Sequence, residues 1–205
     1  MLNFIIVINM KLIYSDSIIE SYSENKINGD GVIDLFLNEN EPLIIYNLDG
    51  SEYEIFKLLE DTYTMMYNSD KIIARRFVPN HDFFYTLFDC NQFNEEDEFI
   101  FIYINNEQKK IKQCEYDFTF QPWSEFISNE YIGILPNNPL IVKSDNNFYK
   151  SSDSINEVFK VEKIEGDTMW LKSTSTGCCG SNKELEGFVK WKEGNRLLID
   201  LNIFD

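Results

Sequence analysis

Phe99-Ile100-Phe101-Ile102-Tyr103, the dipeptide Asn105-Asn106 and the alternating run Lys110-Ile111-Lys112-Gln113-Cys114 decide the fold. β-Branched and aromatic residues precede a turn dipeptide, and a period-two pattern follows it, so the stretch predicts a β-hairpin. Two further stretches repeat the pattern. Asp49-Gly50 separates Pro42-Leu43-Ile44-Ile45-Tyr46 from Tyr53-Glu54-Ile55-Phe56, as a tight turn requiring positive φ would. Asn68-Ser69-Asp70 separates Tyr63-Thr64-Met65-Met66-Tyr67 from Ile72-Ile73-Ala74-Arg75-Arg76-Phe77, which predicts a third hairpin.

Helical signal is thin. Pro122-Trp123-Ser124-Glu125-Phe126-Ile127 predicts a short helix, because proline fits a first turn and Trp123, Phe126 and Ile127 share a face. Glu52 to Met66 supports two readings: its apolar residues fall at helical spacing, but Thr62 and Thr64 dilute the pattern. The expected fold class is mainly β. An N-terminal β-rich domain over 1–135, with at most one or two short helices, is followed by a small barrel over 139–205. The boundary is placed at Leu135-Pro136-Asn137-Asn138-Pro139, where two prolines bias the chain towards turns.

The chain is 205 residues long, with 43% hydrophobic residues, 17 Phe and 11 Tyr, enough to build a core and to argue against disorder. Its formal charge is −17, from 35 acidic and 18 basic residues. Residues 1–125 hold 23 acidic and 9 basic side chains, net −14, and residues 126–205 hold 12 and 9, net −3. Such a field repels phosphate backbones and anionic membranes, so nucleic acid is excluded as the expected ligand. It also steers basic protein partners inward, and solubility alone is the plainer account of it. The apolar run Leu2 to Ile8 is too short to span a bilayer and lacks both a basic lead and a small-residue cleavage site. It reads as a buried strand, or as an extension upstream of a start at Met10. A cytoplasmic location without membrane insertion is therefore expected.

From Pro139 onward short strands alternate with tight turns. Leu140 to Lys143, Phe148 to Ser152, Glu157 to Ile164, Thr168 to Ser173, Gly187 to Lys192 and Arg196 to Leu201 carry the strand signal, with Glu165-Gly166-Asp167 and Glu193-Gly194-Asn195 as turns. Phe148-Tyr149-Lys150-Ser151-Ser152-Asp153-Ser154, Gly166-Asp167-Thr168-Met169-Trp170-Leu171-Lys172 and Gly187-Phe188-Val189-Lys190-Trp191 together resemble the bacterial SH3-like family, over roughly residues 139–203. The resemblance implies a small β-barrel used for recognition, often of cell-wall peptides in exported proteins. The long loop from Ser173 to Glu186 departs from the family pattern. The whole pattern, including Arg75-Arg76-Phe77-Val78-Pro79 and the Trp123 segment, also resembles uncharacterised bacteroidete proteins, a likeness that names no activity.

Catalytic chemistry finds little to stand on. His81 is the only histidine, and it lies in the turn-like Pro79-Asn80-His81-Asp82, so a Ser-His-Asp or Cys-His centre rests on it alone. Cys90, Cys114, Cys178 and Cys179 lack the spacing of a zinc site or of a disulfide framework, and reduced thiols are expected. Asn28-Gly29-Asp30-Gly31-Val32-Ile33-Asp34 imitates part of an EF-hand loop, but Lys26 and Leu37 occupy its first and last ligand positions. A glycine turn entering a strand accounts for it better. No metal and no cofactor are expected.

Glu95-Glu96-Asp97-Glu98 is the densest run of carboxylates, read either as a solvated loop or as a contact for a partner's Lys and Arg. The leading expectation is a non-catalytic protein-binding protein whose partner is basic. Its most concrete form is an immunity-type inhibitor of a toxin or nuclease, met by Glu95, Glu96, Asp97 and Glu98. A cell-envelope peptide or glycan recognition module using Tyr149, Trp170 and Trp191 is the alternative, and it implies export. A hydrolase of unknown class, using His81 or a carboxylate pair, is the third class.

Overall fold

A computed structural model describes residues 11–13, 26–36, 42–59, 64–67, 75–79, 84–104, 107–135, 138–144, 147–150, 158–174 and 185–202. His81, Cys178-Cys179 and the run before Met10 lie outside them. The described chain is mainly β and antiparallel, with one α-helix and one 3₁₀ turn.

Two compact units are present: Met1–Ser23 with Asn28–Gln121, and Glu24–Ile27 with Pro122–Asp205. The division follows Gln121, ahead of the Leu135–Pro139 segment singled out by its prolines. The reason is pairing, because the helix and the strand after it are bound to strands of the second unit.

The first unit contains β1 (Lys11–Ile13), β2 (Gly31–Phe36), β3 (Leu43–Tyr46), β4 (Glu52–Leu59), β5 (Thr64–Tyr67), β6 (Arg76–Pro79), β7 (Phe84–Cys90), β8 (Phe99–Ile104), β9 (Glu107–Lys112) and β10 (Asp117–Pro122). They form one sheet in the order β1-β5-β4-β3-β9-β8-β7-β2-β10, with β6 also paired to β7. The hairpin read from residues 99–114 is β8–β9, with Phe99 opposite Lys112 and Ile104 opposite Glu107. Asp49-Gly50 joins β3 to β4, with Gly50 at φ 91°.

The third expected hairpin is corrected. Both edges of β5 are taken, by β4 and β1, and β6 pairs with β7, so β5 and β6 do not pair with each other. The ambiguous segment from Glu52 is thereby extended in β4 and β5, and its helical spacing loses to cross-strand pairing. Alternation sorts the faces: Ile100, Ile102, Ile104 and Ile111 join Ile33, Leu35, Leu43, Ile45, Phe56 and Phe88 in the core. Tyr53, Phe93, Tyr116, Phe118 and Phe120 pack against that core from its margin.

The second unit opens with α1 (Trp123–Asn129), whose Trp123, Phe126 and Ile127 are buried on one face as the sequence spacing predicts. It continues through β11 (Tyr131–Ile134), β12 (Ile141–Ser144), β13 (Asn147–Lys150), β14 (Phe159–Glu165), β15 (Thr168–Ser173), β16 (Glu186–Lys190), β17 (Lys192–Glu193), β18 (Arg196–Leu197) and β19 (Ile199–Asn202). Seven of these make a sheet in the order β13-β12-β16-β15-β14-β11-β19, and β17 pairs with β18. The small barrel expected over 139–205 is thus seen as an open path of strands that also takes in β11, with no closed barrel among the described residues. The turns at Gly166 and Gly194, both at φ 59°, join β14 to β15 and β17 to β18. No helix is long and apolar enough to cross a membrane among the described residues.

Candidate functional site

β7 ends at Cys90, β8 begins at Phe99 and β9 ends at Lys112, so the Asn91–Glu98 loop lies at one end of the first sheet. Phe93 anchors it. Its ring meets Phe118 and Phe120 edge-on, with centroids 5.3 and 5.5 Å away. The Asn91 amide donates to the Phe101 carbonyl at 3.1 Å, the Gln92 amide to Asp30 Oδ2 at 2.9 Å and the Gln113 amide to the Glu98 carbonyl at 3.1 Å. A loop held at four points is presented with little freedom to lose on binding.

The carboxylate run sits on this scaffold. Glu95, Glu96, Asp97 and Glu98 are all exposed. Asp97 is partly committed to the loop itself: the Asn94 amide donates to its Oδ2 at 2.7 Å, and its own amide donates back to the Asn94 carbonyl at 3.1 Å. Glu95, Glu96 and Glu98 are therefore the side chains offered outward, while Asp97 shapes the turn. Asp30, Glu115 and Asp117 add exposed carboxylates at the same end, through β2, the 3₁₀ turn Gln113–Glu115 and the start of β10. Lys112 is a cation beside them, and it donates to Glu115 Oε1 at 2.7 Å.

No protein-family model, curated protein or solved structure matches this chain.

The aromatic residues singled out in the second unit separate. Trp170 on β15 is half-buried and stacks on its cross-strand partner Phe188, with centroids 6.0 Å apart and planes 23° from parallel. Its Nε1 donates to Glu186 Oε1 at 2.9 Å. Trp191 is only 3% exposed, and its Nε1 donates to the Gly166 carbonyl at 2.9 Å, so its ring packs inside and fixes the β14–β15 turn. Tyr149 lies on β13, paired with Val142.

Sequence reading missed the most buried polar cluster among the described residues. Arg75 precedes β6 and Asp89 lies on β7, and the guanidinium takes both carboxylate oxygens. The Asn28 amide donates to Asp89 Oδ2 at 2.8 Å. Burial pushes the Asp89 carboxyl upward, opposed by Arg75 and Asn28. Its signal in the sequence was one aspartate inside the apolar run Phe83 to Cys90. Among the described residues, no group of three or more His, Cys, Asp or Glu side chains is placed to hold a metal ion. Cys90 is buried and Cys114 exposed, and both are free thiols.

Proposed function

We propose that this protein is a non-catalytic, cytoplasmic binding protein whose acidic sheet end engages a basic protein, and that its concrete role is that of an immunity-type inhibitor masking a cationic toxin or nuclease. The single observation that carries the reading is the anchored Asn91–Glu98 loop, which offers Glu95, Glu96 and Glu98 to solvent on a turn fixed by Asp97. Fixed, exposed carboxylates attract a cationic surface at long range and lose little entropy on contact. The second unit is read as a recognition module from the SH3-like resemblance of Phe148 to Ser154, Gly166 to Lys172 and Gly187 to Trp191.

Affinity capture with wild type and an E95K/E96K/E98K variant tests the reading, with Asp97 left in place to hold the turn. Wild type retains a protein of positive net charge, the variant loses it, and added salt releases it. A toxin assay then shows whether the captured protein is inhibited. Retention of the same proteins by both baits overturns the reading.

A second reading follows from the half-buried Trp170–Phe188 stack. An indole face beside Glu186 suits a peptide or glycan of the cell envelope. Saturation-transfer NMR with soluble wall fragments tests it, and an absence of transfer to the Trp170 ring counts against it.

A further inference from the structure

Phe101 is 40% exposed and Leu48 is 52% exposed, and Lys110 stands opposite Phe101 in register and bonds the Leu48 backbone carbonyl. In register, Lys110 faces Phe101 on one side and Tyr46 on the other. Alternation puts these three in one row on the sheet face opposite the isoleucine core. The Lys110 Nζ lies 4.4 Å from the Phe99 ring centroid and donates to the Leu48 carbonyl at 3.1 Å. In the next row Lys112 faces Phe99, bonds Glu115 and sits 5.8 Å from the Tyr46 centroid. Both ammonium groups are thus held against rings and acceptors of their own unit, and their methylene stems widen the apolar surface.

Phe99 directly follows Glu98, so exposed carboxylates border this aromatic patch. An apolar centre with a charged rim is the anatomy of a protein–protein contact, and exposed aromatic patches mark such contacts. We infer that patch and acidic loop form one interface whose occupant is a cationic protein surface carrying an aliphatic or aromatic anchor flanked by Lys or Arg. The anchor packs on Phe101 and Leu48, and the flanking cations meet Glu95, Glu96 and Glu98. Rim charge selects this occupant, since an acidic peptide, a nucleic acid or a second copy at net −17 is repelled. The inference rests on the acidic-end reading above and names the chemistry of its partner.

Two synthetic peptides of equal length and equal positive charge test it by calorimetric titration against the full chain. One places Leu and Trp among its Lys and Arg residues, and the other has Ser and Gly there. The first binds wild type about tenfold tighter or more, the scale of a good anchor residue. The F101S/L48S variant, altered only at exposed side chains, loses that preference and keeps its affinity for the polar peptide. Equal binding of both peptides to wild type, or an undiminished preference in F101S/L48S, overturns the patch while the acidic-end reading stands. If neither peptide binds, or if E95Q/E96Q/E98Q binds both as wild type does, the acidic-end reading fails and the inference with it.

Discussion

Arg75 grips Asp89 through two parallel bonds, Nε to Oδ1 at 2.7 Å and Nη2 to Oδ2 at 2.6 Å, with both side chains almost wholly out of water. Asp89 pairs with Val32 on one edge of β7 and Tyr103 on the other, so the ion pair is built into the middle of the sheet. Leu87 pairs with both Asp34 and Arg76, which places β6 and β8 end to end along the same edge of β7, with Arg75 at their junction.

Removing one partner of this pair strands the other charge in the interior. D89A and R75A are each expected to lower unfolding free energy by about 3–5 kcal/mol. The R75M/D89L double variant loses far less than the sum of the two, because no orphaned charge remains. Urea unfolding measures all three, and additive losses would contradict this assignment.

Asp34, on the adjacent strand, is half-buried and accepts the Thr86 backbone N–H, yet burial dominates and pushes its carboxyl up to about 6 from 3.8. A raised folded value means the native state binds the proton more tightly than the unfolded chain. The stability contributed by this group is full below about 3.8 and is lost as pH rises through about 6. D34N, which keeps an acceptor for Thr86, should therefore match wild type near the acid end of that window and exceed it at neutral pH. Unfolding curves of both proteins across the window decide it, and a D34N that is less stable at neutral pH contradicts it.

Much of this was legible in the sequence, and the misses share a cause. The β8–β9 hairpin was readable because Ile100, Ile102, Ile104 and Ile111 alternate with residues of the other face, a local pattern. The helix was readable because Trp123, Phe126 and Ile127 share a face within two turns. The β4–β5 and β6–β7 hairpins were not, since the turn residues Asn68-Ser69-Asp70 suggested a pairing across them that β4 and β7 outcompete. The acidic run at Glu95–Glu98 was visible, but the anchoring of Phe93 depends on Phe118 and Phe120, which it meets only after folding, and the commitment of Asp97 to Asn94 is a turn contact that the charge run by itself does not reveal. Lys109 shows the same limit: placed inward by alternation, it is buried over the Tyr53 ring with Asn47 and Glu107 as acceptors.

Gly31 opens β2 where the chain passes closest to β10. A Cβ there would run into the Gln121 carbonyl oxygen and the Phe120 ring. G31A is expected to cost about 1–3 kcal/mol through displaced backbone. G50A, at positive φ with open space around it, costs only the conformational strain of about 1–2 kcal/mol and leaves the core untouched. Near-ultraviolet circular dichroism separates the two: G31A perturbs the aromatic signal and G50A does not.

The three tryptophans differ in access to solvent. Trp123 and Trp191 are buried, and Trp170 is half-buried. Acrylamide quenching of wild type should therefore show one accessible and two protected emitters, and W170F should remove most of the accessible fraction. If W191F removes it instead, the inward placement of Trp191 is wrong.

The central claim, that the anchored acidic loop is a contact surface for a cationic protein, is tested most directly by the salt dependence of affinity. The protein captured by wild type is titrated into wild type and into E95Q/E96Q/E98Q at about 50 and about 200 mM salt, a span over which exposed charge pairs are progressively screened. Wild-type affinity should fall steeply across that span, and the variant should bind about tenfold or more weakly at low salt with a visibly flatter dependence. Equal affinities and equal salt slopes for the two proteins would contradict the claim.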